Sequence, residues 1–326
     1  MDKNSSSEAY TSCNIIEHGF DAQVASINLC CRETRSFRLK PLILIGPYCG
    51  EKIDWGKLFD KKNQLRTIQK SNKILPNCIG CIYLEHKIWG DENYINSINI
   101  NNWIKCNAKC IYCKRQAVYK TTKEYNIYPI IKDLIKNKYL KTPCDITIAG
   151  GEPTIKRDFD KTLNLMIKNE IYNIRILTNA IKYNKLIEKG LNLGFVNILV
   201  STDSGTEKMY QAIKQTNKHK QVWQNIKKYV KFQKTDSLVK TKYIIIPEYN
   251  DKETEITEYI KRNSEAGVKN TAIDIEIDSF IIKNKDSAFL KRMKELYIFA
   301  RELSKEYDIV TEPFDRMKVV LENIKI

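Results

Sequence analysis

The sequence predicts an α/β fold in which parallel strands alternate with helices. Six short apolar runs, rich in Ile and Val, are separated by segments whose apolar residues recur at helical spacing. The cysteines lie almost wholly in the first third of the chain. Strands that alternate with helices usually pair in parallel, so we expect a parallel α/β array. A cysteine-rich segment should precede it.

The predicted elements follow one another closely along the chain. Strands are expected at residues 94–100, 145–154, 174–179, 195–202, 239–247 and 271–278. Helices are expected at residues 125–137, 159–169, 183–190, 221–232, 254–266 and 288–303, and residues 308–314 and a last helix close the chain. The helix of residues 183–190 is expected to end at Gly190, since glycine commonly terminates helices. In such folds the chemistry lies at the carboxyl ends of the strands.

Composition and charge bound the possible functions. The chain has 326 residues, of which 42% are hydrophobic and 29% charged, as in an ordinary globular protein. Its net charge of +16 is compatible with a polyanionic partner such as nucleic acid. However, 44 of the 55 basic residues are Lys, and specific readers of phosphates and bases favour Arg. We therefore favour a compositional origin of the charge over nucleic-acid binding.

The sequence predicts a cytoplasmic protein without a membrane segment. No apolar run approaches the roughly 18 residues that span a bilayer, and the first residues lack the apolar core of a secretory signal. Ten cysteines in a reducing compartment are not expected to form disulfides. Clustered cytosolic cysteines more often bind metal or carry out redox chemistry.

Two motifs at the ends of neighbouring predicted strands carry the functional prediction. Cys106, Cys110 and Cys113 share one loop directly after the first strand. Three closely spaced thiolates suit an iron–sulfur cluster with one open iron, or a zinc site that lacks its fourth ligand. The second strand ends at Gly150-Gly151-Glu152. The glycines let the backbone approach a ligand closely, and the carboxylate can accept hydrogen bonds from an ammonium group.

Together these motifs resemble the radical S-adenosylmethionine (SAM) superfamily, whose signature is three cysteines at this spacing with an aromatic residue before the last. The resemblance covers about residues 94–280 and implies a partial (β/α)6 TIM-type barrel. It implies that the three cysteines hold a [4Fe–4S] cluster and are the catalytic residues. The cluster would cleave SAM reductively to a 5′-deoxyadenosyl radical, which abstracts a substrate hydrogen. The SAM-binding residues implied are Tyr112, Gly150, Gly151, Glu152, Asn179, Ser201, Asp203 and Ile245.

The N-terminal cysteines indicate a second metal site. Cys13, Cys30, Cys78 and Cys81 would supply four thiolates, with Cys31 as the alternative to Cys30. The pattern resembles the SPASM or Twitch auxiliary-cluster domain, although that domain usually follows the barrel and here precedes it. A structural zinc site with the same ligands is the alternative. The predicted domains are a small Cys-rich α+β domain (1–92), the barrel (93–285) and a C-terminal helical extension (286–326).

Substrate contacts are expected from inward-facing charges on two late strands. Lys242 lies on the fifth strand, and Asp274 and Glu276 share one face of the sixth. The alternative for the two carboxylates is a salt-bridged barrel lining.

We expect a small-molecule substrate, through oxidation or epimerisation of a sugar or aminocyclitol, or a short peptide. The alternatives are a peptide maturase, an RNA-modifying radical SAM enzyme and a zinc-bearing nucleic-acid-binding protein. The resemblance implies a flavodoxin or ferredoxin as the reductant, and an acidic one would suit the basic surface.

Overall fold

The computed structural model describes residues 8–30, 43–71, 73, 75–79, 81, 83–90, 92–113, 124–276 and 287–323. The chain divides into two compact units, Met1–Trp103 with Thr121–Gly150, and Ile104–Lys120 with Gly151–Ile326. The domain boundaries expected after residues 92 and 285 stay predictions. No helix of the described ranges is both long and apolar enough to cross a membrane.

The first unit is built around a sheet that joins the cysteine-rich segment to the first predicted strand of the α/β array. Its described strands are β1 (Tyr10–Ser12), β2 (Gly19–Gln23), β3 (Ser26–Asn28), β4 (Ile43–Ile45), β5 (Glu85–Lys87), β6 (Ile95–Asn101) and β7 (Leu140–Ile148). Its helices are α1 (Asn14–His18), α2 (Trp55–Lys70) and α3 (Tyr128–Lys136). β6 is parallel to both β7 and β2, and β3 and β4 continue antiparallel from β2. β1 and β5 form a separate antiparallel pair.

The second unit alternates strands with helices throughout. Its strands are β8 (Ile174–Thr178), β9 (Val196–Ser201), β10 (Val239–Ile245), β11 (Asn270–Ile275) and β12 (Val310–Pro313). Its helices are α4 (Phe159–Lys168), α5 (Lys185–Leu193), α6 (Glu207–Lys214), α7 (His219–Phe232), α8 (Glu253–Ala266), α9 (Ser287–Glu306) and α10 (Asp315–Asn323). Each strand is parallel to the next along the chain. This arrangement confirms the predicted α/β class.

The predicted end of α5 is wrong. The helix continues through Gly190 to Leu193 and ends at Gly194, whose φ of 78° is left-handed. Gly190 serves close packing instead, because a Cβ there would lie 2.3 Å from Val196 Cγ2. Sequence reasoning also missed α6, a helix of only eight residues. The four tryptophans are buried, as expected of core aromatics.

Buried charges hold α1 against α2 in the first unit. The Lys62 ammonium donates to the carbonyls of Ile15 and Ile16, each at 2.8 Å. Arg66 Nε donates to Glu17 Oε2 at 2.9 Å, and both side chains are at most 4% exposed. Burial lowers the pKa of Lys62 to about 7. Because the helix α1 has only five residues, these contacts from α2 rather than helix propensity fix its position.

His18, at the end of α1, is buried as a neutral ring. It lies flat on Tyr94 with 4.0 Å between ring centroids, and its Nε2 is 3.1 Å from the Trp89 carbonyl oxygen. Burial lowers its pKa to about 4, and the positive charges of Arg66 and Lys62 add to the effect. An unfolded histidine titrates near 6.5. The native state therefore gains stability above that pH and loses it as pH falls towards 4.

We expect the free energy of unfolding to fall by about 2 kcal/mol between pH 7 and pH 5 because of His18 alone, since about 1.4 kcal/mol accompanies each pKa unit. Urea denaturation of the wild type and of His18→Gln at both pH values measures this contribution. The variant should lose that part of the pH dependence. His86→Gln, at an exposed position, is the control and should keep it. Equal pH dependence in wild type and His18→Gln would contradict the assignment.

Candidate functional site

Cys106, Cys110 and Cys113 lie on an irregular loop of the second unit. The Cys113 amide donates to the Cys110 carbonyl at 2.9 Å, which turns the loop tightly between these two residues. Burial raises the pKa of Cys106 to about 11 and raises that of Cys110. Cys106 interacts electrostatically with both other thiols, and Cys110 with Cys113. The three thiols therefore share one neighbourhood, and metal binding would release their protons.

The backbone of this loop caps the C-terminal end of α6. The Lys109 amide donates to the Lys214 carbonyl at 3.1 Å, and the Ile111 amide donates to the Ile213 carbonyl at 3.0 Å. Carbonyls in the last turn of a helix have no donor within the helix. The cysteine loop supplies those donors, so the position of the loop depends on α6.

A buried ion pair lies beneath the same loop. Lys214 and Asp203 form it with side chains that are 1% and 0% exposed. The Tyr112 hydroxyl donates to Asp203 Oδ2 at 2.6 Å, and Lys214 Nζ donates to the Tyr112 hydroxyl at 2.9 Å. The Ile244 amide donates to Asp203 Oδ1 at 3.0 Å. Both carboxylate oxygens of Asp203 are thus engaged within the protein, and its predicted contact with SAM stays a prediction.

Glu152 is the centre of a second buried network. Its Oε1 accepts from the hydroxyls of Thr154 and Thr178, each at 2.7 Å. Its Oε2 accepts from the Asn179 amide at 2.8 Å. The side chain is 1% exposed in total, and burial raises its pKa. The carboxylate therefore holds the end of β8 in place.

Asn179 links this network to the cysteine loop. Its Nδ2 donates to Asn107 Oδ1 at 2.7 Å and lies 3.6 Å from Cys106 Sγ. Its Oδ1 accepts from the Ile181 amide at 3.0 Å. The structure thus brings together three predicted site residues: Glu152, Asn179 and Cys106.

The two glycines allow the chain to pass close to the segment before the cysteine loop. Gly150 has a φ of 114°, and a Cβ on it would lie 3.1 Å from the Trp103 carbonyl oxygen. A Cβ on Gly151 would lie 2.1 Å from the Lys105 carbonyl oxygen. The Glu152 amide also donates to that oxygen, at 2.8 Å. These contacts need glycine even without a bound ligand.

The apolar surface next to Tyr112 comes from Ile244 and Ile246. They pack in one cluster with Tyr112, Ile213 and Met209. The predicted residue, Ile245, alternates to the other face of β10, the face on which Tyr243 meets Tyr259 of α8. Ser201, which ends β9, is half-buried and lies in register with Lys242 of β10.

The predicted substrate residues have partners on the C-terminal elements. Arg316 of α10 pairs with Asp274 at 3.1 Å and with Glu276 at 2.9 Å. These ion pairs agree with the alternative of a salt-bridged lining, and the predicted substrate contacts of the two carboxylates stay a prediction. The Lys242 ammonium lies 5.1 Å from the centroid of the Phe314 ring. Within the described ranges Lys242 has no carboxylate partner.

Three of the predicted auxiliary ligands lie together in the first unit. Cys13 precedes α1 and packs with Cys78 in one apolar cluster. The Cys81 amide donates to the Cys78 carbonyl at 3.0 Å, and Cys81 interacts electrostatically with Cys13. Cys30 is buried just beyond β3. Its alternative, Cys31, lies outside the described residues.

The residues of the central loop fit an iron–sulfur cluster in donor type and surroundings. The hydroxyl of Tyr210 is buried and has no hydrogen-bond partner among the described residues, and it interacts electrostatically with Cys106 and Cys110. A sulfur acceptor there would satisfy it. In this conformation no three described Cys, His, Asp or Glu side chains converge as metal ligands, so binding would reorient the thiols.

Sequence reasoning missed three residues of this site. Lys214 and Tyr210 lie on α6, the unpredicted helix, where they share its buried face with Ile213. The helical spacing of Tyr210, Ile213 and Lys214 was the signal that could have indicated this helix. Arg316 had no local signal, because its partners are about 40 residues earlier in the chain.

A family model described as the radical SAM superfamily matches residues 103–279, which is more than half of the chain. Among curated proteins, a GTP 3′,8-cyclase of Clostridium botulinum is 29% identical over 137 residues, covering 41% of this chain and 43% of that protein. A GTP 3′,8-cyclase of Vibrio atlanticus is 28% identical over 153 residues, covering 45% of each. The chain spans less than half the length of these curated relatives.

Among solved structures, Streptococcus suis SuiB bound to precursor peptide SuiA has a TM-score of 0.55 at 16% identity. The match covers 90% of this chain and 62% of that one. This likeness, together with the parallel strands, confirms the predicted partial TIM-type barrel class.

We expect Glu152→Gln to lower the free energy of unfolding of the metal-free chain by about 1–3 kcal/mol. In either orientation of the new side chain, its NH2 group replaces a carboxylate oxygen and faces a backbone N–H donor, that of Asn179 or that of Thr154. Chemical denaturation measures the change. Glu170→Gln, at an exposed position, is the matched control and should change stability by less than about 0.5 kcal/mol. Equal stabilities of the two variants would contradict the network.

Proposed function

The chain belongs to the radical SAM superfamily, whose members use SAM and a [4Fe–4S] cluster, and we propose that it is an enzyme which cleaves SAM reductively and abstracts a hydrogen atom from its substrate. When bound, the cluster supplies the electron for that cleavage, which yields methionine and a 5′-deoxyadenosyl radical. The observation that carries the proposal is the shared neighbourhood of Cys106, Cys110 and Cys113, next to Asn179 and Glu152.

The residues around the thiols would bind and orient SAM. Gly150 and Gly151 remove side chains from the loop that passes the cysteine segment. Glu152 fixes Asn179, whose amide lies beside Cys106. Tyr112 offers an apolar face for an adenine ring.

Ile244 and Ile246 extend this surface, and we add them to the predicted contact of Ile245. The buried position of these side chains would keep water from the reacting atoms.

We further propose an auxiliary iron–sulfur cluster held by Cys13, Cys30, Cys78 and Cys81, in a SPASM- or Twitch-like role. The grouping of Cys13, Cys78 and Cys81 supports it. Lys62 interacts electrostatically with Cys13, and a nearby ammonium favours thiolates. Cys31 remains the alternative to Cys30. A cluster there would accept an electron from the substrate during an oxidation.

We propose a small-molecule substrate, with oxidation or epimerisation as the reaction class. Curated relatives are named for a nucleotide, GTP, which supports a small substrate over a protein. In the described ranges the Lys242 ammonium has no carboxylate partner, so it is available to an anionic or hydroxyl group of the substrate. Asp274 and Glu276 share the one guanidinium of Arg316, and their carboxylate oxygens would accept hydrogen bonds from the substrate.

The electron donor would be a flavodoxin or ferredoxin. A net charge of +16 favours association with an acidic partner, because opposite charges accelerate encounter. This attraction weakens as salt concentration rises.

Anaerobic iron and sulfide analysis tests the two-cluster proposal. We expect about eight irons in the wild type, falling to about four in a triple variant in which Cys106, Cys110 and Cys113 are replaced by Ala, with loss of 5′-deoxyadenosine formation. Cys49→Ala, at an exposed cysteine outside both sets, is the control and should keep all the iron.

About four irons falling to none, with bound zinc, would show that the N-terminal site is structural. Undiminished 5′-deoxyadenosine formation by the triple variant would overturn the active-site assignment.

A further inference from the structure

We propose that Lys214 and Asp203 form a buried latch that positions the cysteine loop for its metal centre. The inference rests on the proposed function of the loop and assigns a role to a helix, α6, that does not itself carry a ligand. Lys214 is a positioning residue in this scheme. It acts through Tyr112 and through the backbone of the loop.

Two kinds of tether converge on the middle of the loop. Backbone hydrogen bonds join the amides of Lys109 and Ile111 to the last carbonyls of α6. Side-chain hydrogen bonds join the Tyr112 hydroxyl to both members of the ion pair. All of these contacts fall within four consecutive residues that include Cys110. The latch therefore determines where this thiol, and the residues on either side of it, are held.

The ion pair is shielded from solvent, unlike an ion pair on the protein surface. Lys214 and Asp203 are 1% and 0% exposed, so solvent does not screen them. The Lys214 ammonium also lies 5.3 Å from the centroid of the Tyr112 ring. A buried pair is retained only where geometry and additional hydrogen bonds offset the loss of hydration. Here the Ile244 amide and the Tyr112 hydroxyl supply those hydrogen bonds.

The position of Asp203 is fixed by contacts at the ends of β9 and β10. It follows β9 with a φ of 57° and is held by the Ile244 amide of β10. Asn250 donates from Nδ2 to the Asp203 carbonyl at 2.8 Å and to the Ile244 carbonyl at 2.9 Å. The latch thus connects the ends of two barrel strands to the loop through one ammonium group.

Amide hydrogen exchange on the full chain without metal tests the latch directly. The variants are Lys214→Met and the double variant Asp203→Asn with Lys214→Met, which removes both charges and avoids an unpaired buried carboxylate. Lys208→Met, an exposed position on the same helix, is the control. The readouts are the exchange rates of the Lys109 and Ile111 amides relative to those of β9.

We expect the Lys109 and Ile111 amides to exchange at least about tenfold faster in the double variant, while β9 amides change by less than about threefold. A uniform change across both sets would mark a general loss of stability and overturn the proposal, as would unchanged protection of the two loop amides. The control should match the wild type.

A second readout uses the reconstituted chain. The electron paramagnetic resonance spectrum of the reduced protein should respond to added SAM in the wild type and in Lys208→Met, and this response should be lost or broadened in Lys214→Met, which keeps Asp203, itself a predicted SAM contact. A full response in Lys214→Met counts against the latch. Absence of cluster iron in the wild type would instead contradict the proposed function, while the exchange result would still decide the latch.

Discussion

Several elements of the second unit meet at one buried ion pair, that of Lys214 with Asp203. Removing two charges from water costs several kcal/mol per ion, so such a pair persists only where the surrounding groups complete its hydrogen bonds. Tyr112 from the cysteine loop and the Ile244 amide from β10 do so. As a result, the end of β9, the end of β10, the last turn of α6 and the cysteine loop are held at one point.

In the first unit, buried polar side chains of one helix, α2, hold the segments that carry the cysteines. Lys62, Arg66 and Gln69 follow one another at helical spacing on α2. Lys62 and Arg66 bond α1, and Gln69 Nε2 lies 3.9 Å from Cys78 Sγ. In both units, therefore, a lysine withdrawn from solvent lies near a cysteine segment that has little regular structure of its own. Such segments bury little apolar surface, so polar contacts must define their position.

The elements of the α/β array were predictable because their signals are local. Apolar periodicity and caps identified all six helices predicted between strands to within about three residues at each end. The prediction ended α5 at Gly190, whereas the helix is capped by Gly194. Two glycines four residues apart give the same local signal, and only the contact of Gly190 with Val196 distinguishes them. α6 escaped prediction because a helix of eight residues shows barely two turns of periodicity. On β10, Ile244 packs with Tyr112, a contact that the sequence did not indicate because the face of a strand depends on what packs against it.

By itself, the sequence determined the α/β class, the alternation of strands with six of the helices after residue 93, and the two motifs around Cys106 and Glu152. These features depend on residue type and on spacing within about fifteen residues, which local physical rules govern. Only the tertiary structure decided that Asp203 is engaged by Lys214, that Arg316 neutralises Asp274, and that Cys13 lies beside Cys78. Each of these pairs joins separate elements, and its geometry follows from how the strands and helices pack, which no local pattern encodes.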